Sequence, residues 1–479
     1  MNTILNTAVI ALVCLSTALM AVRGVNRSRS SADVLVAARS VRPWWNASAI
    51  GGEYLSAASF LGVTGLIVLT GRDGLWYPVG YAAGFLMLML FVAAPLRRSG
   101  AYTLPDFAQV RFGQENVARV LGYTVLGVGW LYMLPQMHAA ALALITVTDL
   151  PAWVGPVAVT AVVIASVVPG GMRSITAVQA MQYWLKLAAL AIPTIAIIIA
   201  LPLGAGPDLP TEPVLPSPGQ TPLVTVSLLI ALVFGTLGLP HVLVRFYTNP
   251  TGAQARTTTF TVTGLVSLFY LFPTALAFLA VSAGITTPGN PDALLLDLPS
   301  TLLGGTVGVL LTAIVAGGAF AAFVSTSSGL TVALAGVISR RFFAGSVSGF
   351  RRGALLAALV PGAISMATST TGLASVIGSI FALTASTIAP VLLAGIWWRR
   401  ASGAGAIAAM VTGASVWLAC LVASFAGAGA ALGGLVGQPG LLSVPAAVLA
   451  LIVFSLARPD LDTGRLDEVL ARLHAPNRD

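Results

Sequence analysis

The chain has 479 residues, of which 57% are hydrophobic and 8% are charged, and its net charge is +9. Soluble domains carry about 25% charged residues, so this composition excludes an ordinary soluble protein and indicates a multi-pass protein of the cell membrane. The two cysteines, Cys14 and Cys420, both lie in apolar stretches and form neither a disulfide framework nor a metal-ligand spacing.

Apolar segments of roughly membrane-spanning length follow one another along the whole chain. Thirteen are predicted: 3–22, 44–70, 75–96, 120–148, 153–169, 177–203, 222–247, 257–283, 305–338, 354–371, 373–397, 404–427 and 441–457. The first has no basic residues before it, so we interpret it as a spanning helix and not as a signal peptide. We expect one transmembrane domain, residues 1–457, and a short cytoplasmic tail, residues 458–479.

The basic residues are distributed unevenly between the two sides of this predicted bundle. Twenty-two arginines lie in alternate loops and in the tail, whereas Arg72 lies on the opposite side. Because cytoplasmic loops are enriched in Lys and Arg, this pattern predicts an outside N-terminus and a cytoplasmic C-terminus. The positive charge then faces the anionic inner leaflet and needs no nucleic-acid partner.

Segment 2 is the least ordinary of the predicted spans. Gly51 and Gly52 precede Glu53 in its middle, and serines follow at positions 56 and 59. Glycine weakens a helix, and an ionisable residue inside a membrane segment is costly and therefore a candidate for function. We predict a broken helix whose backbone carbonyls and hydroxyls bind a solute and an ion.

Segment 9 carries the four consecutive hydroxyl residues Ser325 to Ser328 in an otherwise apolar helix. A small hard cation such as Na⁺ prefers oxygen ligands, which carbonyls of Gly52 to Leu55 and hydroxyls of Ser325 and Thr326 would supply. A single serine would more often bond within its own helix or to a neighbouring one. A run of four opposite a broken helix favours an ion site.

Three charged residues are candidates for coupling or gating. Glu53 is either a proton or cation relay or a buried pairing partner, and Lys186 is its obvious counter-charge. The alternative for Lys186 is that its side chain extends to the membrane interface. For Arg245, an interfacial anchor or gate is favoured over a substrate ligand.

Segment 7 is interrupted in a similar way, at Gly235 to His241. Paired interruptions in two halves of a membrane protein predict a midplane site between inverted repeats. Further residues either line such a cavity or simply pack in the core: Tyr132, Gln136, Thr236 and Phe381. The chain contains no serine-hydrolase, zinc-protease or P-loop motif, so we do not expect an enzyme.

Several motifs together resemble the sodium:solute symporter family, and within it the cation/acetate symporter branch. They are Gly52 to Gly62, Arg72-Asp73-Gly74-Leu75, Tyr102 to Asp106, Gly171-Met172-Arg173, Gly235 to His241 with Arg245-Phe246, and Gly329-Leu330-Thr331. Two features depart from the branch. It commonly has Asp in place of Glu53, and the hydroxyl run is richer than in some acetate permeases, which favours Na⁺ over H⁺.

The resemblance implies an all-α protein with the five-plus-five inverted repeat of LeuT-like transporters, here about 44–203 and 222–400. It implies a Na⁺ site formed by carbonyls of Gly52, Leu55 and Ala322 with hydroxyls of Ser325 and Thr326, and a substrate-facing row of Ser56, Ala57 and Ser59. The expected function is uptake of a small monocarboxylate (acetate, propionate or pyruvate) coupled to Na⁺, with H⁺ as the alternative ion. The rival interpretations are the same fold carrying proline, another amino acid or pantothenate, a transporter-like solute sensor, and a passive channel.

Overall fold

The computed structural model describes residues 2–23, 30–200, 221–286, 289–369, 372–427, 434–460 and 463–475. These residues form twenty α-helices joined by short loops, 3₁₀ turns and one π-helical turn. The first ten are α1 (Asn2–Arg23), α2 (Ser31–Val36), α3 (Pro43–Tyr54), α4 (Val63–Thr70), α5 (Trp76–Phe91), α6 (Ala93–Arg98), α7 (Leu104–Phe112), α8 (Glu115–Val147), α9 (Val154–Ala200) and α10 (Pro222–Thr236). The others are α11 (Pro240–Phe246), α12 (Gly252–Ser282), α13 (Leu294–Leu303), α14 (Gly305–Phe342), α15 (Val347–Ala367), α16 (Leu373–Ser386), α17 (Ile388–Trp397), α18 (Gly403–Phe425), α19 (Gly440–Ala457) and α20 (Thr463–His474).

Among the described residues, ten helical runs are long and apolar enough to cross a membrane, or eleven when the bent pair α10 and α11 is counted as one span. Two of these runs, Ala58–Phe91 and Val154–Ala200, each overlap two of the thirteen predicted segments. A glycine with positive φ lies inside each run, Gly71 at +59° and Gly171 at +56°. Both glycines lie between the predicted segments. The chain can change direction there because glycine adopts a positive φ without steric cost.

The two predicted interruptions are present. The second segment divides at Leu55 and Ser56, between α3 and the π-helical turn Ala58–Gly62 that leads into α4. The seventh divides between α10 and α11, whose axes differ by 41°. The first break lies after Tyr54 and not at the predicted Gly51–Gly52 pair, which is inside α3, so its predicted position is wrong. The second lies immediately before Pro240, whose nitrogen carries no hydrogen to continue the helical hydrogen bonds.

The centre of the bundle is formed by α14, which packs against α9, α8, α3 and α15. Its most apolar window is 78% buried, whereas that of α1 is 28% buried and those of α18 and α19 are each 33% buried. Most residues in the apolar windows of α1, α18 and α19 are therefore not buried, as expected for helices at the periphery of the bundle. The polar hydroxyl run of α14 therefore lies in a well-protected part of the fold, as do α16 and α17, whose shared window is 83% buried.

The tail helix α20 packs along the loops near α6 and α7. Arg465 donates to the Val110 carbonyl at 2.9 Å and Arg472 to the Arg98 carbonyl at 3.1 Å. Arg399 and Asp467 form an exposed ion pair at 2.8 Å. The tail is thus attached to the same side of the bundle as the arginine-rich loops.

Candidate functional site

Helix α3 packs closely against α9 just before the break. A Cβ on Gly52 would lie 2.1 Å from the Gln179 carbonyl oxygen, so α3 and α9 can touch only where position 52 is glycine. Leu55 has a non-helical ψ of 85°, which interrupts the helical hydrogen-bond ladder. The carbonyls of Gly52 and Leu55 are consequently available to side chains of other helices.

Side chains of α14 bind this opened stretch. The Ser325 hydroxyl lies 2.6 Å from the Gly52 oxygen and 3.1 Å from the Ala322 oxygen. The Thr326 hydroxyl donates to the Glu53 carbonyl at 2.7 Å. The structure therefore brings the predicted ion ligands of segments 2 and 9 together in the middle of the bundle.

Lys186 of α9 reaches the same point. Its Nζ donates to the carbonyls of Gly52 and Leu55, the latter at 2.8 Å, and to the Ser325 hydroxyl at 3.0 Å. The side chain is fully buried, so the alternative of a lysine extending to the interface is wrong. We call this group of Gly52, Leu55, Ala322, Ser325 and Thr326 oxygens the five-oxygen cluster.

The charge that pairs with Glu53 belongs to Arg245, not to Lys186. Arg245 Nε lies 3.1 Å from Glu53 Oε2, and both side chains are almost completely buried. Within the described ranges, Arg245 is the cation whose nitrogen lies within 4 Å of this carboxylate. The predicted Glu53–Lys186 pair is therefore wrong, and so is the placement of Arg245 at the interface, because α11 turns inward after the break.

Two further polar residues hold this ion pair, and sequence analysis missed both. Gln179 donates to Glu53 Oε2 at 3.2 Å and to the Ser325 carbonyl at 2.9 Å. Thr176 accepts from Arg245 Nη1 at 2.8 Å. The available signal was a glutamine inside an apolar segment, on the same helix as Lys186 and a little under two turns before it.

The predicted substrate residues are all buried around the two breaks. Gln136 accepts a hydrogen bond from the Ala57 amide at 2.9 Å, and Ser59 bonds to the Tyr270 hydroxyl at 2.7 Å. Tyr54 connects the breaks, since its hydroxyl lies 3.3 Å from that of Thr236. Ser56 lies at the first break itself, beside Leu55.

Aromatic rings from five helices close this region. The Phe381 ring lies 5.1 Å from that of Tyr81 and 6.1 Å from that of Tyr132, and Tyr132 lies 5.4 Å from His241. Tyr81 and Tyr270, which stack at 5.7 Å, were not predicted. The signal for Tyr81 was its spacing from Tyr77, which places both on one face of α5.

Several buried polar atoms in this region have no hydrogen-bond partner among the described residues. They include the Tyr81 hydroxyl, both ring nitrogens of His241, Arg245 Nη2 and Glu53 Oε1. Buried polar groups are normally satisfied, so unpaired donors and acceptors next to an aromatic cluster suit a polar solute. Lys186, Arg245 and Glu53 together leave one positive charge uncompensated, which favours an anion.

The chain is similar to several known transporters. A monocarboxylic acid transporter of Corynebacterium glutamicum is 29% identical, over 98% of this chain and 94% of that protein. A solved Na⁺-coupled sialic acid symporter, bound to substrate in an outward-open state, superposes with a TM-score of 0.69 at 15% identity, covering 95% of this chain and 98% of that one. The nucleobase-cation-symport-1 family transporter Mhp1, in a closed conformation, gives 0.56 at 16% identity, covering 92% of this chain and 99% of that one.

At such low identity the two solved structures establish the fold alone, which is that of LeuT-like transporters. The family assignment comes from the sequence, because a model of the sodium:solute symporter family matches residues 35–413. That match includes both breaks, the α14 hydroxyl run and every residue placed around them above. This multi-pass membrane protein belongs to the sodium:solute symporter family.

Proposed function

We propose that the protein is a secondary active symporter of the cell membrane that imports a small monocarboxylate, such as acetate, propionate or pyruvate, driven by Na⁺. Family membership supports solute symport and Na⁺ as the coupling ion. The relative named as a monocarboxylic acid transporter supports the substrate class. Family and fold both point to transport and not to catalysis.

The observation that carries the substrate class is the charge at the site. Glu53 is already paired with Arg245, so the Lys186 ammonium is the charge left without an anionic partner. A carboxylate entering beside the break would balance it, and burying a balanced pair is far less costly than burying one charge. The Tyr81 hydroxyl and the His241 ring would supply hydrogen bonds to its oxygens.

The burial of the site suits a transporter that opens to one side at a time. Ser56, Ala57, Thr236 and Phe381 are all 1% exposed or less, so the region is closed to solvent on both sides. A solute then enters only when helices move apart, which is the alternating access that symport requires. A passive channel would need an open path through the same residues.

The finer architecture is also a proposal. We propose thirteen spans with the N-terminus outside, two inverted repeats at about 44–203 and 222–400 within a transport domain of residues 1–457, and a cytoplasmic tail at 458–479. The two breaks, which lie in the first span of each proposed repeat, support this arrangement. Ser56, Ala57, Ser59, Tyr132, Gln136, Thr236 and Phe381 are the proposed substrate contacts, with Glu53, Lys186 and Arg245 in coupling or gating.

Uptake of labelled acetate into proteoliposomes tests the proposal, first under an inward Na⁺ gradient and then under an H⁺ gradient alone. Tyr81→Phe removes a hydroxyl that has no partner, so it should leave the melting temperature unchanged and weaken acetate uptake about tenfold. Tyr123→Phe is the matched control, because that ring is 54% exposed on the outer surface of α8.

Gradient-driven uptake that Tyr81→Phe weakens, and Tyr123→Phe does not, supports the substrate and the site. Uptake of proline or pantothenate in place of acetate would replace the substrate class and keep the transporter. Binding of acetate without uptake under either gradient would favour a solute sensor.

A further inference from the structure

The Lys186 side chain is fully satisfied within the protein. A lysine ammonium has three N–H donors and no acceptor, and the structure supplies three acceptors: the carbonyls of Gly52 and Leu55 and the Ser325 hydroxyl. These acceptors come from two different helices and surround one point. A buried charge is tolerated in such a position because every donor is bonded.

The remaining oxygens of the five-oxygen cluster are also engaged by the protein. The Ala322 carbonyl accepts from the Ser325 hydroxyl at 3.1 Å, and the Thr326 hydroxyl donates to the Glu53 carbonyl at 2.7 Å. All five predicted Na⁺ ligands therefore have a hydrogen-bond partner in the chain. None of these partners is a solvent-exposed side chain that could move aside freely, since Ser325, Thr326 and Lys186 are 0% exposed.

A Na⁺ ion does not fit this arrangement as it stands. It would need the same lone pairs that the ammonium uses, and it would lie within contact distance of a like charge in a medium of low dielectric constant. Glu53 gives little compensation, because Arg245 already pairs with its carboxylate at 3.1 Å. The cluster can therefore hold either the Lys186 ammonium or a free ion, but not both.

We infer that the Lys186 ammonium takes the place of a bound cation at the five-oxygen cluster, so that this cluster does not bind Na⁺. The cation is covalently part of α9 and holds the broken helix α3 against α14. The ammonium stabilises the fold as an ion bound to the same oxygens would, but it is not released with the solute. Na⁺ coupling, which rests on the function proposed above, then uses oxygens outside this cluster.

Thermal unfolding of the purified full chain tests the inference without any assumption about the solute. The melting temperature is measured with 0 and 100 mM NaCl, with choline chloride replacing the difference so that ionic strength stays constant. A ligand that binds only the folded state raises this temperature. Lys186→Ala opens the cluster to an ion, Lys186→Met removes the charge but keeps the volume, and Ser325→Ala removes one of the predicted Na⁺ ligands.

We expect Na⁺ to raise the melting temperature of Lys186→Ala by about 2 °C or more, and K⁺ to raise it less. Lys186→Met should lose stability relative to the wild type and show no response to Na⁺. For the wild type, either no response to Na⁺ or a response that Ser325→Ala retains agrees with the inference, since any bound ion would then lie elsewhere.

Two results would overturn the inference. One is a wild-type response to Na⁺ that Ser325→Ala abolishes, because the ion would then bind at the cluster beside Lys186. The other is a folded Lys186→Ala variant that does not respond to Na⁺, because the oxygens would then not form a cation site. The wild-type measurements stand even where Lys186→Ala does not fold. Failure of acetate uptake would change none of these outcomes, so the two proposals fail separately.

Discussion

The ion pair between Glu53 and Arg245 offers the sharpest test of how the bundle is held together. Glu53→Gln keeps the shape of the side chain and removes its charge. Arg245 and Lys186 are then both buried without a carboxylate, at a point where the Arg245 side chain is 0% exposed. Removing one partner of a buried ion pair lowers the free energy of unfolding by about 3–5 kcal/mol.

For a chain of 479 residues each kcal/mol corresponds to roughly 1 °C in melting temperature, so Glu53→Gln should unfold roughly 3–5 °C lower than the wild type. Arg245→Met alone should show a comparable loss, because it leaves the carboxylate unpaired. The double variant should recover most of it, since no uncompensated carboxylate or guanidinium remains. A double-mutant cycle by thermal unfolding in detergent measures the coupling between the two sites.

Asp467→Asn is the matched control. It removes a carboxylate from the Arg399 pair, whose separation is 2.8 Å but whose side chains are 60% and 53% exposed. Exposed pairs contribute about 0–1 kcal/mol, so the melting temperature should fall by no more than about 1 °C. Equal losses for Glu53→Gln and Asp467→Asn, or a double variant as unstable as the sum of the single variants, would refute the argument from burial.

Two backbone and capping features give further predictions. Gly52→Ala forces a Cβ to within 2.1 Å of the Gln179 carbonyl oxygen, so it should separate α3 from α9 and abolish uptake. Gly127→Ala is the control, because a Cβ there meets nothing within 4 Å. It should leave the free energy of unfolding unchanged or raise it by up to about 1 kcal/mol. Asp292 accepts from two amides at the start of α16 at 2.9 and 3.0 Å, and burial raises its pKa while these bonds lower it. Asp292→Ala should lower the free energy of unfolding by about 1 kcal/mol, as measured by thermal unfolding. Asp297→Ala should lower it much less, because the Asp297 side chain is exposed. Unchanged melting for Gly52→Ala or Asp292→Ala would contradict these accounts.

Composition and local pattern were enough to predict much of the fold. A helix that spans a bilayer needs a long apolar run to match the hydrocarbon core. It is helical because each backbone group must be hydrogen-bonded within its own segment. The break at Leu237 to Leu239 was visible because glycine and proline act on the backbone locally. The first break was expected at Gly51 and Gly52 but lies at Leu55, after the end of α3. The polar centres of segments 2 and 9 also stood out, since Glu53 and Ser325 to Ser328 are unusual in an apolar environment.

Charge pairing was decided by the tertiary structure alone. The sequence offered Lys186 as the partner of Glu53 and placed Arg245 at an interface, but α11 turns inward after the break and brings Arg245 to the carboxylate. Lys186 was thereby left to bind backbone and hydroxyl oxygens. Which cation meets which anion depends on helix rotation and depth over separations of more than 100 residues, and neither quantity is encoded in spacing along the chain.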